Sequence, residues 1–344
     1  MALFLNILDY YHNIGENHVV EKESKNYGIA KLSAVITNNK GEKYFLKCFP
    51  KSVSQKRVQF IAESQNYIAQ NTGYAPKIYK NKCNKLFSQN STGSFILSEY
   101  IRAQNFTISD LLHELGTKVY YILGKFLGLI HSSYYQFVSY CGYDKKLVLN
   151  NSLSRIKDLI DYHKFHTKNE FYIESLLYKY EEILRFPKDR FMQFNSLPRQ
   201  VIHGDFYVNN LLFNENKEII ALIDYEQSCC FFRVYEIMRG FFYTLCADSF
   251  GGSLQDKIES FICGYLESTN LCYTEITNAV ELYYWIQLND LYGFIHHAGT
   301  SFSLDLTRFR MSLLKKFANR KEEINRMLVD LYDRIMKKKN YVAR

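Results

Sequence analysis

The hydrophobic period of this chain changes near residue 100, and no other feature constrains its fold as strongly. Before that point, short runs alternate apolar and polar residues between Asn/Gly/Lys clusters, the period of half-buried strands. In AVITNNKGEKYFLKCF the cluster Asn38-Asn39-Lys40-Gly41 reads as a hairpin turn between two strands. One helix, Arg57 to Gln70, interrupts the strands, and a last strand, Ser94 to Tyr100, closes this part. Beyond it, Leu111, Leu112, Leu115, Val119, Ile122, Leu123, Phe126, Leu127 and Ile130 recur three or four apart, which is helical spacing. The predicted class is α+β in two parts: residues 1–100 as a small β-rich lobe, and residues 101–344 as a larger, mostly helical lobe. One stretch of the second part departs from helix, NNLLFNENKEIIALIDYE, with two short strands about an Asn-Glu-Asn-Lys turn.

Composition and charge narrow the function classes. A chain of 344 residues that is 47% hydrophobic, with 29 Tyr and 26 Phe, buries a large core, so wholesale disorder is excluded. The net charge is +8, but residues 315–344 hold ten Lys or Arg against four Asp or Glu. Three quarters of the excess thus sits on one terminal segment, where Ile324, Leu328, Leu331 and Ile335 mark an amphipathic helix docking one face. The rest is close to neutral, unlike a domain that tracks a phosphate backbone, and no nucleic-acid partner is expected. The eight cysteines form no C-x-x-C pair and read as small buried hydrophobes in a reducing compartment. No run reaches the ~18 apolar residues of a membrane span, and the N-terminal MALFLNILDYYHN lacks a preceding positive charge, so a cytoplasmic protein with no membrane partner is expected.

The strongest chemical signal is VIHGDFYVNNLLFNENKEIIALIDYE, from Val201 to Glu226. It holds His203-x-Asp205, an Asn five residues after that Asp, Asn210, and a second Asp, Asp224, after the following strand. If Leu211–Phe213 pairs antiparallel with Ile219–Ile223, the residue entering one strand and the residue leaving the other meet at the open end. Asn210 and Asp224 are then neighbours, and an amide oxygen beside a carboxylate suits Mg²⁺ together with phosphate oxygens. Asp205, one loop away, is placed to orient and accept the proton of an attacking hydroxyl, as phosphoryl transfer requires.

With these residues the chain resembles the aminoglycoside-phosphotransferase and choline-kinase-like superfamily, which has a bilobal protein-kinase-like fold. Its catalytic motif matches His203, Asp205 and Asn210, and its metal-binding Ile-Asp-aromatic motif matches Ile223-Asp224-Tyr225. RVYEIMRG resembles the Tyr-Asp-Leu-Ala element that follows in many members, with Glu236 in place of Asp. Length and pattern look closest to the bacterial branch with CotS-like and homoserine-kinase-like proteins. The resemblance implies ATP and Mg²⁺, with catalytic roles for Asp205 and His203 and metal ligation by Asn210 and Asp224. It also implies that Lys47, on the strand YFLKCF, contacts the nucleotide phosphates and pairs with Glu63 of the helix QFIAESQNYIAQ. Main-chain atoms of Ser98, Glu99, Tyr100 and Ile101 in FILSEYI would read adenine. A phosphate-covering loop falls at Ser24–Ala30, which carries one glycine, Gly28, rather than three.

Other residues are less directive. His131, ending GKFLGLIH, reads as a structural hydrogen-bonder between helix and catalytic loop. Adjacent histidines such as His296-His297 point apart on a helix and make no metal site. Glu226 faces the cleft by position, and three roles are open to it: metal ligand, attractor of a cationic acceptor, or surface carboxylate. Trp285 fits either the acceptor pocket or the core. The expected activity is phosphorylation of a hydroxyl on a small molecule of aminoglycoside, amino-alcohol, homoserine or sugar type, by a monomer or homodimer. The alternatives are a catalytically silent scaffold, such as a spore-coat protein, and a kinase acting on Ser/Thr of a peptide.

Overall fold

Alternating burial along the first hundred residues builds one antiparallel sheet with the order β1-β2-β3-β5-β4. Its strands are β1 (His18–Lys25), β2 (Leu32–Asn38), β3 (Lys43–Pro50), β4 (Ser88–Gln89) and β5 (Gly93–Glu99), with helix α1 (Gln55–Thr72) between β3 and β4. The computed structural model describes residues 9–11, 18–25, 29–137, 144–145, 152–247, 252–295 and 301–342. Asn38 fixes the β2–β3 turn: its Oδ1 accepts from Lys40 N and Glu42 N, and Gly41 takes the left-handed conformation at φ 79° that glycine adopts without a Cβ clash.

The two faces of the sheet have different fates. Ala34, Ile36, Tyr44, Leu46, Cys48, Phe95 and Leu97 form a small cluster of their own with Tyr11. From the other face Phe49 and Ile96 join Val58, Phe60 and Ile61 of α1, and through them the main core. The helix α1 therefore ties the sheet to the helical part. Ser54 caps its N-terminus, and Gly73, at φ 74°, ends it.

The remainder runs through α2 (Ile108–Leu115), α3 (Lys118–Tyr134), α4 (Ser152–Tyr162), a π-helical turn (His163–Thr167), α5 (Glu170–Arg185) and α6 (Arg190–Asn195). Four short strands follow: β6 (Arg199–Ile202), β7 (Leu211–Phe213), β8 (Ile219–Leu222) and β9 (Cys229–Phe232). The chain then continues through α7 (Arg233–Ala247), α8 (Leu254–Tyr265), α9 (Tyr273–Asn289), α10 (Tyr292–Ile295), α11 (Ser301–Ala318) and α12 (Lys321–Val342). The fold is α+β, a sheet-rich segment followed by a mostly helical one.

Close packing of α3 on α8 depends on bare backbone. A Cβ on Gly124, Gly128 or Gly264 would run into the main-chain oxygen of Phe261, Tyr265 or Tyr121, respectively. That approach carries His131, at the end of α3, onto Tyr265. On α12, Ile324, Leu328 and Leu331 are buried as the four-three spacing requires. Trp285 is core, wedged between the rings of Phe186 and Phe191 at 4.7 and 4.6 Å.

Two readings change here. The helical part holds a second two-stranded sheet, β6 paired with β9 from Arg199↔Phe232 to Ile202↔Cys229. Four-residue strands that are mostly buried carry no alternation to read, so the sequence pattern missed them. Cys83 and Cys272 are exposed rather than buried. His296-His297 and part of the Ser24–Ala30 segment lie outside the described residues. Among the described residues no helix is long and apolar enough to cross a membrane.

Candidate active site

The β6–β9 pairing clamps both ends of the segment from His203 to Ser228, and the β7–β8 hairpin projects from within it. Leu211 pairs with Leu222, and Ile223 N donates to Asn210 O at 2.9 Å, extending the ladder by one step. Asn210 and Asp224 therefore sit at the hairpin's open end, as the antiparallel argument requires. Asp224 takes the left-handed conformation at φ 66°, a strained region that Asp tolerates better than most residues. There the chain leaves the strand and turns its carboxylate toward the sheet.

Two ionic clusters meet at this point. In the first, Lys47 Nζ from β3 lies 2.7 Å from Asp224 Oδ1 and 3.0 Å from Glu226 Oε1. Ala30 N donates to Glu226 Oε2 at 2.8 Å. Burial works against the charges, but the two carboxylates hold the Lys47 ammonium above its ordinary pKa. For Asp224 burial likewise acts upward, and the charge and hydrogen bond of Lys47 keep its carboxyl below the usual range. Arg57 of α1 steadies the backbone here, donating to Glu226 O at 2.6 Å and to Ser228 O. Glu226, 5% exposed, is thus no surface carboxylate.

The expected Lys47–Glu63 pair is not the one formed. Glu63 Oε1 accepts from Gln59 Nε2, one turn earlier on α1, at 2.8 Å. The carboxylates at the end of the hairpin reach Lys47 instead.

In the second cluster Asp205 is held from both sides. Arg239 of α7 binds its Oδ1 and also donates to Phe206 O at 3.1 Å, while Asn210 Nδ2 donates to Asp205 Oδ2 at 3.1 Å and to its main-chain oxygen at 2.8 Å. Arg239 packs over the ring of Tyr243, with its guanidinium carbon 4.1 Å from the centroid. Burial opposes its charge, but Asp205 keeps it firmly protonated.

Beneath both clusters lies a scaffold of buried polar groups. His203 Nε2 lies 2.9 Å from Ile223 O, and its Nδ1 accepts from Asp205 N at 3.3 Å, which fixes the tautomer with Nε2 as donor. Burial lowers its pKa, so the ring is neutral. Glu236 accepts from His203 N at 3.0 Å and from Gly204 N, and it lies 2.9 Å from His131 Nε2. His131 Nδ1 lies 2.9 Å from Tyr265 Oη. Gly204, at φ 82°, has no room for a Cβ against Gln227 O. Helices α3, α7 and α8 thereby fix the backbone on which Asp205 rides.

Both clusters open on one cavity of about 1050 Å³, whose lining includes Gly204, Asp205, Tyr207, Asp224, Glu226 and Arg239. Trp285, a core residue, also touches it. Of the main-chain groups expected to read adenine, Glu99 N is already bonded to Lys77 O at 2.8 Å, and Ser98 pairs with Phe45 and bridges to Ile78. Tyr100 is 39% exposed, with Lys43 over its ring, and Ile101 is half-buried.

The donor set suits Mg²⁺. Asn210 uses its NH₂ group on Asp205, which leaves its amide oxygen as the ligand atom, and Asp224 and Glu226 supply paired carboxylates that already embrace the Lys47 ammonium. Among the described residues no three His, Cys, Asp or Glu side chains converge as an all-protein metal site. Mg²⁺ normally takes one or two carboxylates and fills the other positions with water and phosphate oxygens, so the arrangement fits.

Sequence motifs give no sign of the roles of Arg239 and Arg57 or of the anchoring by Glu226. Arg239 lies one helical turn beyond Tyr235 in RVYEIMRG, and that spacing was its only local signal.

Residues 32–265 match the family described as APH, the phosphotransferase enzyme family, and the chain belongs to that family. No curated protein matches it by sequence. Among solved structures it is similar to the amicoumacin kinase hAmiN in complex with AMP-PNP, Ca²⁺ and Ami, at TM-score 0.64 and 15% identity over 92% of this chain and 93% of that one. It is similar to an aminoglycoside phosphotransferase from Alicyclobacillus acidocaldarius, at TM-score 0.60 and 13% identity over 96% of both chains. The microcompartment-associated aminopropanol kinase aligns at TM-score 0.59 and 13% identity over 94% of this chain and 98% of that one. The class is that of phosphotransferases, with a fold shared with these kinases.

Proposed function

We propose that this chain is a Mg²⁺- and ATP-dependent kinase that transfers the γ-phosphoryl group to a hydroxyl of a small molecule. One observation carries the reading: Asp205 and Asp224 line a single cavity, Asn210 is bonded to Asp205, and Lys47 is bound to Asp224. Asp205 orients the acceptor hydroxyl and takes its proton. The acceptor oxygen bonds to the γ-phosphorus as the bond to the β–γ bridging oxygen breaks, and ADP leaves. Arg239 and Asn210 each occupy one oxygen of Asp205, and a carboxylate oxygen has lone pairs to spare for a hydroxyl. Asn210, Asp224 and Glu226 would hold Mg²⁺, which supplies charge neutralisation at the phosphate oxygens. Lys47 moves from the carboxylates onto the nucleotide phosphates. His203 and Glu236 hold the loop, so most of the rate comes from positioning and charge neutralisation.

The bound AMP-PNP of the amicoumacin kinase and the ATP of a streptomycin–ATP–APH(2″)-IIa ternary complex support the choice of nucleotide. The test is ATP consumption by the full chain over a panel of hydroxyl compounds, with Mg²⁺ and with EDTA. Transfer that requires Mg²⁺ and is lost in Asp205→Ala supports the proposal. Full activity of both Asp205→Ala and Asp224→Ala would sink it.

A further inference from the structure

The acceptor side of the cavity holds a cation with no ion-pair partner among the described residues. Arg239 is spent on Asp205, and Arg310 on Asp290 at 2.7 Å. Lys145 also lines the cavity, yet among the described residues its ammonium makes no hydrogen bond or ion pair. It lies 5.3 Å from the ring centroid of Phe231 and 5.5 Å from that of Tyr235. Its backbone is pinned, with Lys145 N donating to Cys230 O at 3.2 Å and Arg199 donating to Lys145 O at 2.8 Å. Burial works against its charge, but Tyr235, Cys229 and the carboxylate of Asp290 hold its pKa above the ordinary value, so the group is cationic at neutral pH.

We infer that Lys145, on the Phe231–Tyr235 shelf, binds an anionic group of the acceptor, a carboxylate or a phosphate monoester. The inference rests on the kinase reading above. An aromatic shelf with a free ammonium gives a polycation no partner there, whereas an oxyanion meets an unshared charge and three N–H donors. Tyr235, under Lys145, and Arg239, on Asp205, are one turn apart on α7, so one helix serves both the oxyanion site and the base. Hydroxy acids and polyol phosphates carry both groups such a site would take.

The test uses the full chain with Mg²⁺-ATP. Homoserine and 4-hydroxybutyrate represent carboxylates, and glycerol 3-phosphate represents phosphates. 4-Hydroxybutyramide and glycerol are the neutral controls, and ethanolamine, homoserine amide and kanamycin the cationic ones. Transfer to one anionic set at a kcat/KM at least tenfold above its neutral control is expected, and the set that responds identifies the oxyanion. Lys145→Met should raise the acceptor KM about 10–100-fold while leaving the KM for ATP unchanged, and Lys145→Arg should restore most of it. Lys145→Glu, with its Tm checked against wild type, should turn the preference toward ethanolamine. Equal use of neutral and anionic compounds, or a Lys145→Met enzyme with an unchanged acceptor KM, overturns the inference and leaves the kinase reading standing. If nothing is phosphorylated, binding of the same compounds with Mg²⁺-AMP-PNP present decides it. No binding, or binding unaffected by Lys145→Met, rejects the anion site, while absent nucleotide binding rejects the kinase reading.

Discussion

The two ionic clusters of the cavity differ in completeness. Around Asp205 the charges balance: one carboxylate meets one guanidinium, and every partner comes from the chain beyond residue 200. Around Asp224 they do not, because two carboxylates share one lysine, and that lysine arrives from the sheet of the first hundred residues. A balanced cluster built on one element set serves as fixed geometry. An anionic cluster joining two parts of the molecule is ready to take up further cation and to change partners.

The largest expected effects separate the clusters by kinetics. Asp205→Ala removes the base and should lower kcat by about 10²–10⁴, the usual worth of general acid–base catalysis, with little change in nucleotide binding. Asp224→Ala removes one of the cation site's two carboxylates and should abolish the thermal stabilisation by Mg²⁺-ATP itself. Steady-state kinetics and Tm shifts on both variants check the pair, and a similar loss of nucleotide binding in each would erase the distinction.

Stability separates them next. Arg239→Met strips a nearly buried partner from Asp205 and should cost about 2–4 kcal/mol, below the full range for a buried pair because Asp205 is partly open to the cavity. Arg239→Lys should recover part of this but not the two-pronged contact with Asp205 and Phe206 O. Urea denaturation measures both, and a loss below about 1 kcal/mol in Arg239→Met would show that the pair holds nothing in place.

These clusters also show what a sequence can reveal. Asn210 beside Asp224 was legible because a hairpin's register follows from a turn and two short apolar runs. The switch of period near residue 100 was legible for a similar reason, since strands and helices bury alternate and every third or fourth residue respectively. Glu226 on Lys47 and Ala30 was not legible. Those contacts span 179 and 196 residues and depend on how the sheet sits over the hairpin, which no local pattern encodes. The family resemblance supplied Glu63 for Lys47, and the geometry chose residues at the hairpin's end instead. Arg239, Lys145 and the buried Glu236 network were hidden in the same way, because a charged residue on a helix or loop gives no sign of burial until its partners are known.

That substitution of partners gives a smaller, sharper test. Glu226→Gln should raise the KM for Mg²⁺-ATP about tenfold, since one charge leaves the cation site. Glu63→Gln should change it less than about twofold, because Asp224 and Glu226, not Glu63, hold Lys47. The reverse order would mean that nucleotide returns Lys47 to α1.

The smallest expected effect is a pH slope from the scaffold that both clusters share. His203 is buried and neutral, and its folded pKa lies below the ordinary imidazole value. As pH falls through about 6.5 the unfolded chain takes up a proton that the folded ring refuses, so stability falls with pH at no more than ~1.4 kcal/mol per unit for this one group. His163, also lowered by burial, titrates in the same window, whereas Asp224 and Glu236, both held low, lose their contributions only at more acidic pH. His203→Gln should therefore flatten, without abolishing, the decline in unfolding free energy between pH 7 and 5.5, and leave the acid limb near pH 4 in place. Urea titrations at four pH values resolve the two limbs. An unchanged slope in His203→Gln would mean that the ring accepts its proton in the folded state, and with it that the Ile223 and Asp205 contacts do not fix its tautomer.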